Sequence, residues 1–146
     1  MGHIEATRDL GAAPEELWAI IADPQTWDRW FTVHDKWLEE PPATLTPGAR
    51  LTAKIVMLNM ANKIEWSVRS VDAPTSLALG GTGMAGVKAD FTFTIEPLDA
   101  GSRFTVSGDF EGALVKGALA KAVEKDGMRQ LDRTLTQLDE LASAAV

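Results

Sequence analysis

The chain contains no cysteine. Disulfides, thiolate metal sites and cysteine nucleophiles are thereby excluded together, and the composition fits the reducing cytoplasm, where we expect the protein to work. Histidine is almost missing as well, with only His3 and His34. Neither a His-x-x-Glu-His motif nor any paired histidine spacing is present to build a metal site. A Ser–His–Asp triad would have to draw on one of these two residues, and no nucleophile-elbow sequence accompanies them. The expectation is therefore no metal and no organic cofactor. Basic charge is also short: 14 Lys and Arg stand against 21 Asp and Glu, a net charge of −7. Nucleic-acid affinity comes largely from neutralising phosphates, so a nucleic acid is not an expected partner, nor is an anionic membrane surface. No apolar run approaches the ~20 residues of a membrane helix, so no membrane insertion is expected. The N-terminal MGHIEATRDL is charged and lacks the apolar stretch of a secretory signal.

What is present is an ordinary globular composition, 45% apolar and 24% charged over 146 residues. That length suits one domain, taken here as 1–146, which buries roughly two thirds of its unfolded surface. His3 to Leu10 alternates, with Ile4, Ala6 and Leu10 on one side, and Arg8 interrupts that apolar side. Pro14 followed by Glu15 and Glu16 opens a helix carrying Leu17, Ile20 and Ile21 as its apolar stripe. Asp23-Pro24 stops it and caps a second short helix, on which Trp27 and Trp30 share a face. Strands are expected at roughly 34–40, 49–59, 62–72, 76–84, 87–97 and 102–110, punctuated by PPATLTPG, DAPTS and PLDAGS. Val87, Ala89, Phe91, Phe93 and Ile95 face one way, and Ile64, Trp66 and Val68 match them, as do Phe104, Val106 and Phe110. Such strands imply an antiparallel sheet buried on one face. From about 116 to 143, Leu119, Ala122, Val123, Leu131, Leu135, Leu138 and Ala142 recur at helical spacing. This predicts a helix of about 28 residues and about 42 Å.

Several motifs have an unremarkable reading beside a functional one. GGTGMAG holds Gly81, Gly83 and Gly86 in a literal GxGxxG. A dinucleotide site needs a helix after it, whereas a strand follows here, so a hairpin is the reading adopted. Lys121, Lys125, Arg129 and Arg133 form a basic stripe, but Glu124, Asp126 and Asp132 interleave with it and make a solvated mixed face. Gly127 falls on the apolar side of the last helix. It is either a tolerated weak point or room for a ligand or the sheet backbone beneath the helix. Four of the five tryptophans lie between Trp18 and Trp37. An indole N–H needs a partner when buried, so this bulk either plugs one end of the core or walls a cavity while donating to a ligand.

The segments APEELWAIIADPQTWDRW and GVKADFTFTIEPLDAGSRFTVSGDFEGAL, the latter followed by a long amphipathic helix, resemble the START-like helix-grip superfamily, also called SRPBCC. The superfamily spans polyketide cyclase/dehydrase-like proteins, Bet v 1-type plant proteins and lipid-transfer START domains. The resemblance covers about residues 3–143 and is strongest to small actinobacterial members of the polyketide cyclase/dehydrase group. It implies an α+β fold in which a curved seven-stranded antiparallel sheet grips the C-terminal helix, with two short helices after strand 1 closing a cavity. Carried over by position, Trp18, Trp27 and Trp30 would sit around the closing helices. Ile55, Met57, Ile64, Trp66, Val68, Leu77, Leu79, Phe91, Phe93, Phe104 and Val106 would face inward. Leu119, Val123, Gly127 and Leu131 would form the roof. Arg8 departs from the family's apolar pattern, and it becomes either a polar anchor in the cavity or a sign of an end open to water. His34 and Asn59 are further candidate anchors, with Asn62 near the rim.

The expected function is binding or carriage of a hydrophobic small molecule, a lipid, isoprenoid or polyketide-like compound, by a monomer or weak dimer. One alternative is a cyclase, aromatase or dehydratase using polar groups such as Arg8, His34 or Asp90, the last of which points outward by strand phase. The other is a toxin–antitoxin-type interaction partner, a role described for one mycobacterial relative of this size. No residue is assigned a catalytic role.

Overall fold

The computed structural model describes residues 2–57, 60–83, 86–112 and 117–144. Strand β1 (Gly2–Leu10) leads into α1 (Pro14–Ile21), a 3₁₀ turn (Pro24–Thr26) and the short α2 (Trp27–Trp30). Strands β2 (His34–Trp37), β3 (Arg50–Met57), β4 (Met60–Asp72), β5 (Ser76–Gly83), β6 (Lys88–Pro97) and β7 (Ser102–Glu111) follow, then α3 (Gly117–Ala144). The seven strands form one antiparallel sheet in the order β1-β7-β6-β5-β4-β3-β2. This is the curved helix-grip arrangement expected from the resemblance.

Local chemistry accounts for the entry elements. Pro14 occupies the start of α1, with Glu15 and Glu16 in the first turn where they meet the positive end of the helix dipole. The Asp23 carboxylate accepts a bond from the Gln25 amide at 3.0 Å and caps the 3₁₀ turn that runs into α2. Trp27 and Trp30 both turn into the core, as their spacing requires. Strand β2 is shorter than the expected 34–40, because its ladder with β3 stops at Trp37 opposite Ala53. Pro41 and Pro42 lie just beyond and lack the N–H a longer ladder would need.

Alternation decides which face of each strand is buried, with a shift of register between His34 and Lys36 in β2 and another in β4. In β4, Ile64, Trp66 and Val68 are buried at every second position. A bulge then leaves Arg69 as the extra residue, since Val68 faces Leu79 while Ser70 faces Ala78. The bulge brings Val71, three residues after Val68, back opposite the fully buried Leu77.

The last helix is packed unevenly. Leu131, Leu135, Leu138 and Ala142 are buried, whereas Ala122 and Val123 are half-buried and Leu119 is 41% exposed. Gly127 lies between these two regimes, directly over Ile4 of β1. Toward the C-terminal half, Thr32 ties the helix to the segment after α2. Its amide donates to Thr134 Oγ1 at 3.1 Å and its hydroxyl donates to the Gln130 carbonyl at 2.8 Å.

Candidate functional site

The interior between sheet and α3 is solid at one end and hollow at the other. At the solid end, Trp27 meets Trp30 edge-on with centroids 6.0 Å apart, and Phe31 stacks on Trp30 at 5.6 Å. Phe93 closes against Trp27, Trp30 and Phe31 at 6.3, 5.7 and 5.6 Å. The indole N–H groups of Trp27, Trp30 and Trp37 are used internally. Trp27 donates to the Ile21 carbonyl at 2.9 Å, Trp30 to Thr26 Oγ1 at 3.0 Å and Trp37 to the Pro24 carbonyl at 2.8 Å. No donor of these three is left for a ligand, and Trp27 and Trp30 are fully buried.

At the hollow end lies a cavity of about 130 Å³. Its walls are Ile55 and Met57 from β3, Ile64 from β4, Ala89 from β6, Phe110 from β7, and Leu119 and Val123 from α3, with Val87 just before β6. Asn62, Lys63 and Gly83 complete the lining. On the cavity side of α3, Leu119 is exposed and Val123 half-buried, whereas Leu131, Leu135 and Leu138 beyond Gly127 are fully packed. Ala89 is small where its neighbours Phe91 and Phe93 are large, so the inner face of β6 is hollow at its start and filled further along.

Of the sequence-derived site residues, the structure brings Ile55, Met57, Ile64, Leu119 and Val123 together around the cavity. Trp66, Val68, Leu77, Leu79, Phe91, Phe93, Phe104, Val106 and Leu131 face inward but are packed against one another in the core. Trp18 is half-buried against that core, and Trp27 and Trp30 plug its far end rather than wall the cavity. The reason is steric: large rings that interlock and satisfy their own N–H groups leave no space between them. Gly127 also lies outside the lining, and the room it makes is taken by Ile4. Val87, Ala89 and Phe110 carry the wall instead, and their strand phase already marked them as inward-facing. Nothing local distinguished hollow from filled.

The polar candidates are dispersed. Arg8 Nη2 pairs with Asp132 at 2.7 Å and Nη1 donates to Thr136 Oγ1 at 2.8 Å, so it fastens β1 to α3 outside the cavity lining. Asp90 pairs with Arg69 at 2.7 Å, away from the cavity. Asn59 lies outside the described residues. His34 is buried with both ring nitrogens unpartnered and its ring 4.4 Å from that of Trp37. Burial pushes its pKa down to about 4 against the weaker upward pull of Asp28 and Asp35, so the ring is neutral at pH 7. It is not part of the cavity wall, although its cross-strand partner Ile55 is.

Among the described residues, the cavity lining holds no carboxylate, histidine or hydroxyl. Its polar side chains are Asn62, which the pleat turns inward, and Lys63, which the pleat turns outward. The described residues likewise hold no group of three or more His, Asp or Glu that could hold a metal ion. No described helix is long and apolar enough to cross a membrane. The arrangement suits enclosure of an apolar group rather than proton transfer.

Comparison with known proteins agrees with this architecture. Residues 1–142 match the family described as polyketide cyclase / dehydrase and lipid transport. The uncharacterised protein Rv1546 of Mycobacterium tuberculosis is 26% identical over 141 residues, covering 97% of this chain and 99% of its own. A START superfamily protein from Mycobacterium smegmatis superposes with a TM-score of 0.81 at 15% identity, with each chain covered completely. Protein CV1439 from Chromobacterium violaceum superposes with a TM-score of 0.75 at 13% identity, covering 97% of this chain and 98% of that one. The two structural likenesses establish the fold.

Proposed function

From the premise that this chain belongs to the polyketide cyclase / dehydrase and lipid transport family, we propose that it binds or carries a hydrophobic small molecule in the cavity between sheet and α3. The observation that carries this reading is the cavity of about 130 Å³ walled by Ile55, Met57, Ile64, Val87, Ala89 and Phe110. An engineered cavity of ~150 Å³ lined by Leu, Ile and Phe stays dry and takes up benzene. A space of this size and lining therefore suits one ring or one short branched tail. A lipid, isoprenoid or polyketide-like ligand would place its apolar end there.

Binding is favoured over a cyclase or dehydratase activity by the composition of the wall. Such chemistry needs a proton donor or acceptor in reach of the substrate, and the described lining supplies no titratable side chain that faces inward. An interaction role resting on the tryptophans loses its main support, because Trp27 and Trp30 have no exposed surface to offer another chain.

Native mass spectrometry of the freshly purified protein, paired with mass analysis of its organic extract, tests the proposal. A stoichiometric apolar adduct lost on denaturation is expected. A protein that stays free of adducts and gains none when offered apolar ligands would refute it.

A further inference from the structure

Strand β4 sends Asn62, Ile64 and Trp66 to the inner face of the sheet and Lys63 and Glu65 to the outer one. Asn62 pairs across the ladder with Ile55, so it adjoins an apolar lining residue. Its carboxamide offers two donors and an acceptor. Nδ2 donates to the Met60 carbonyl at 3.5 Å, at the outer limit of a hydrogen bond. The group is half-buried, lightly held and directed at the cavity.

Charge is arranged differently. Lys63 borders the cavity, but its side chain is 56% exposed and Nζ lies 3.9 Å from Glu65 on the outer face. No other cationic residue belongs to the described lining. A carboxylate or phosphate drawn into the cavity would lose water against the buried Ala89 and Phe110 with no inward-facing counter-ion, which is unfavourable. A hydroxyl or carbonyl would face a much smaller cost, and the Asn62 amide could offset it.

Resting on the ligand-binding reading above, we infer that Asn62 is the specificity-determining residue of the cavity. It selects an uncharged ligand with one hydroxyl or carbonyl group at the Asn62 amide and a ring or short branched chain in the apolar space.

The test is a methyl-NMR titration of the full chain with toluene, phenol and benzoate at pH 7, reading the methyl groups of Ile55, Ile64 and Leu119. Toluene and phenol should both give saturable shifts. Phenol should bind roughly three- to tenfold more tightly, the range set by one net hydrogen bond, and benzoate more than about tenfold more weakly than phenol. Asn62→Leu should abolish the phenol preference while retaining toluene binding. Asn62→Thr, which replaces the carboxamide with a hydroxyl that can also donate and accept on a residue well suited to a strand, should preserve part of it. Equal affinities for toluene and phenol, a preference untouched by Asn62→Leu, or tighter binding of benzoate would overturn the role of Asn62 while leaving the cavity reading intact. No saturable shift with any probe would overturn the cavity reading, and this inference with it.

Discussion

Replacing Gly127 with alanine sets two effects of similar size against each other. In a helix interior, alanine is favoured over glycine by about 1 kcal/mol, so the sequence alone would predict stabilisation. The structure predicts the opposite. A Cβ at residue 127 would lie 2.9 Å from both Cδ1 and Cγ2 of Ile4 and 3.4 Å from Cε of Met57, where carbon atoms prefer about 3.5–4.0 Å. Met57 has a pliable side chain and can yield. Ile4 is fully buried on β1, whose backbone is paired opposite Gly108, and it cannot move aside freely. Overpacking of this kind costs about 1–3 kcal/mol. The expected balance for Gly127→Ala is a loss of about 1 kcal/mol, or a fall in Tm of about 3 °C for a chain of this length. Calorimetry or urea unfolding of Gly127→Ala, Ile4→Ala and the double variant measures it. Ile4→Ala removes both clashing carbons, so the double variant should be more stable than the sum of the singles by the whole overpacking cost, about 2 kcal/mol. A rise of about 3 °C in Gly127→Ala, or strict additivity, would refute the close-contact argument. Gly127→Leu should unfold the protein more readily still, rather than merely occlude a cavity.

Other expectations follow from the same geometry. Above pH 6.5, His34 is neutral in both folded and unfolded chains. Between pH 6.5 and about 4 the unfolded chain takes up its proton first, and stability falls by about 1.4 kcal/mol per pH unit, about 3 kcal/mol in all. Urea unfolding across this range should show that slope reduced in His34→Phe, and parallel curves would contradict the burial argument. Trp27→Phe loses the bond to the Ile21 carbonyl and some packing, a cost of about 2 kcal/mol, with apolar-ligand affinity unchanged. A matching loss of affinity would return the tryptophans to the cavity wall. Ala89→Leu fills the hollow stretch of β6. Toluene affinity should drop at least about tenfold while stability holds or rises by about 1 kcal/mol. Undiminished binding would place the site elsewhere.

Most of the fold was legible because each element has a strong periodic signal. The period-two runs around Val87–Ile95 and Phe104–Phe110 specified strands and their buried faces, and the 3–4 spacing from Leu119 to Ala142 specified the long helix. Asp23-Pro24 marked the break between the short helical elements. The bulge at Arg69 was not visible, since it depends on how β4 meets β5 rather than on β4 alone. The candidate site was legible only as a face. Ile55, Ile64, Ala89 and Phe91 all alternate inward, yet the first three border open space while Phe91 is locked between Phe31, Trp66 and Phe110.

The sequence by itself determined secondary structure, strand phase, the family resemblance and the acidic, cysteine-free chemistry, because these depend on neighbours along the chain. Tertiary structure alone decided that the tryptophans form a plug, that Arg8 and Asp132 join β1 to α3, that Gly127 belongs to Ile4, and that the hollow lies under the first turns of α3. Those outcomes depend on which side chains distant in sequence fill the same volume, and the periodicity of a single segment carries no information about the volume left between two of them.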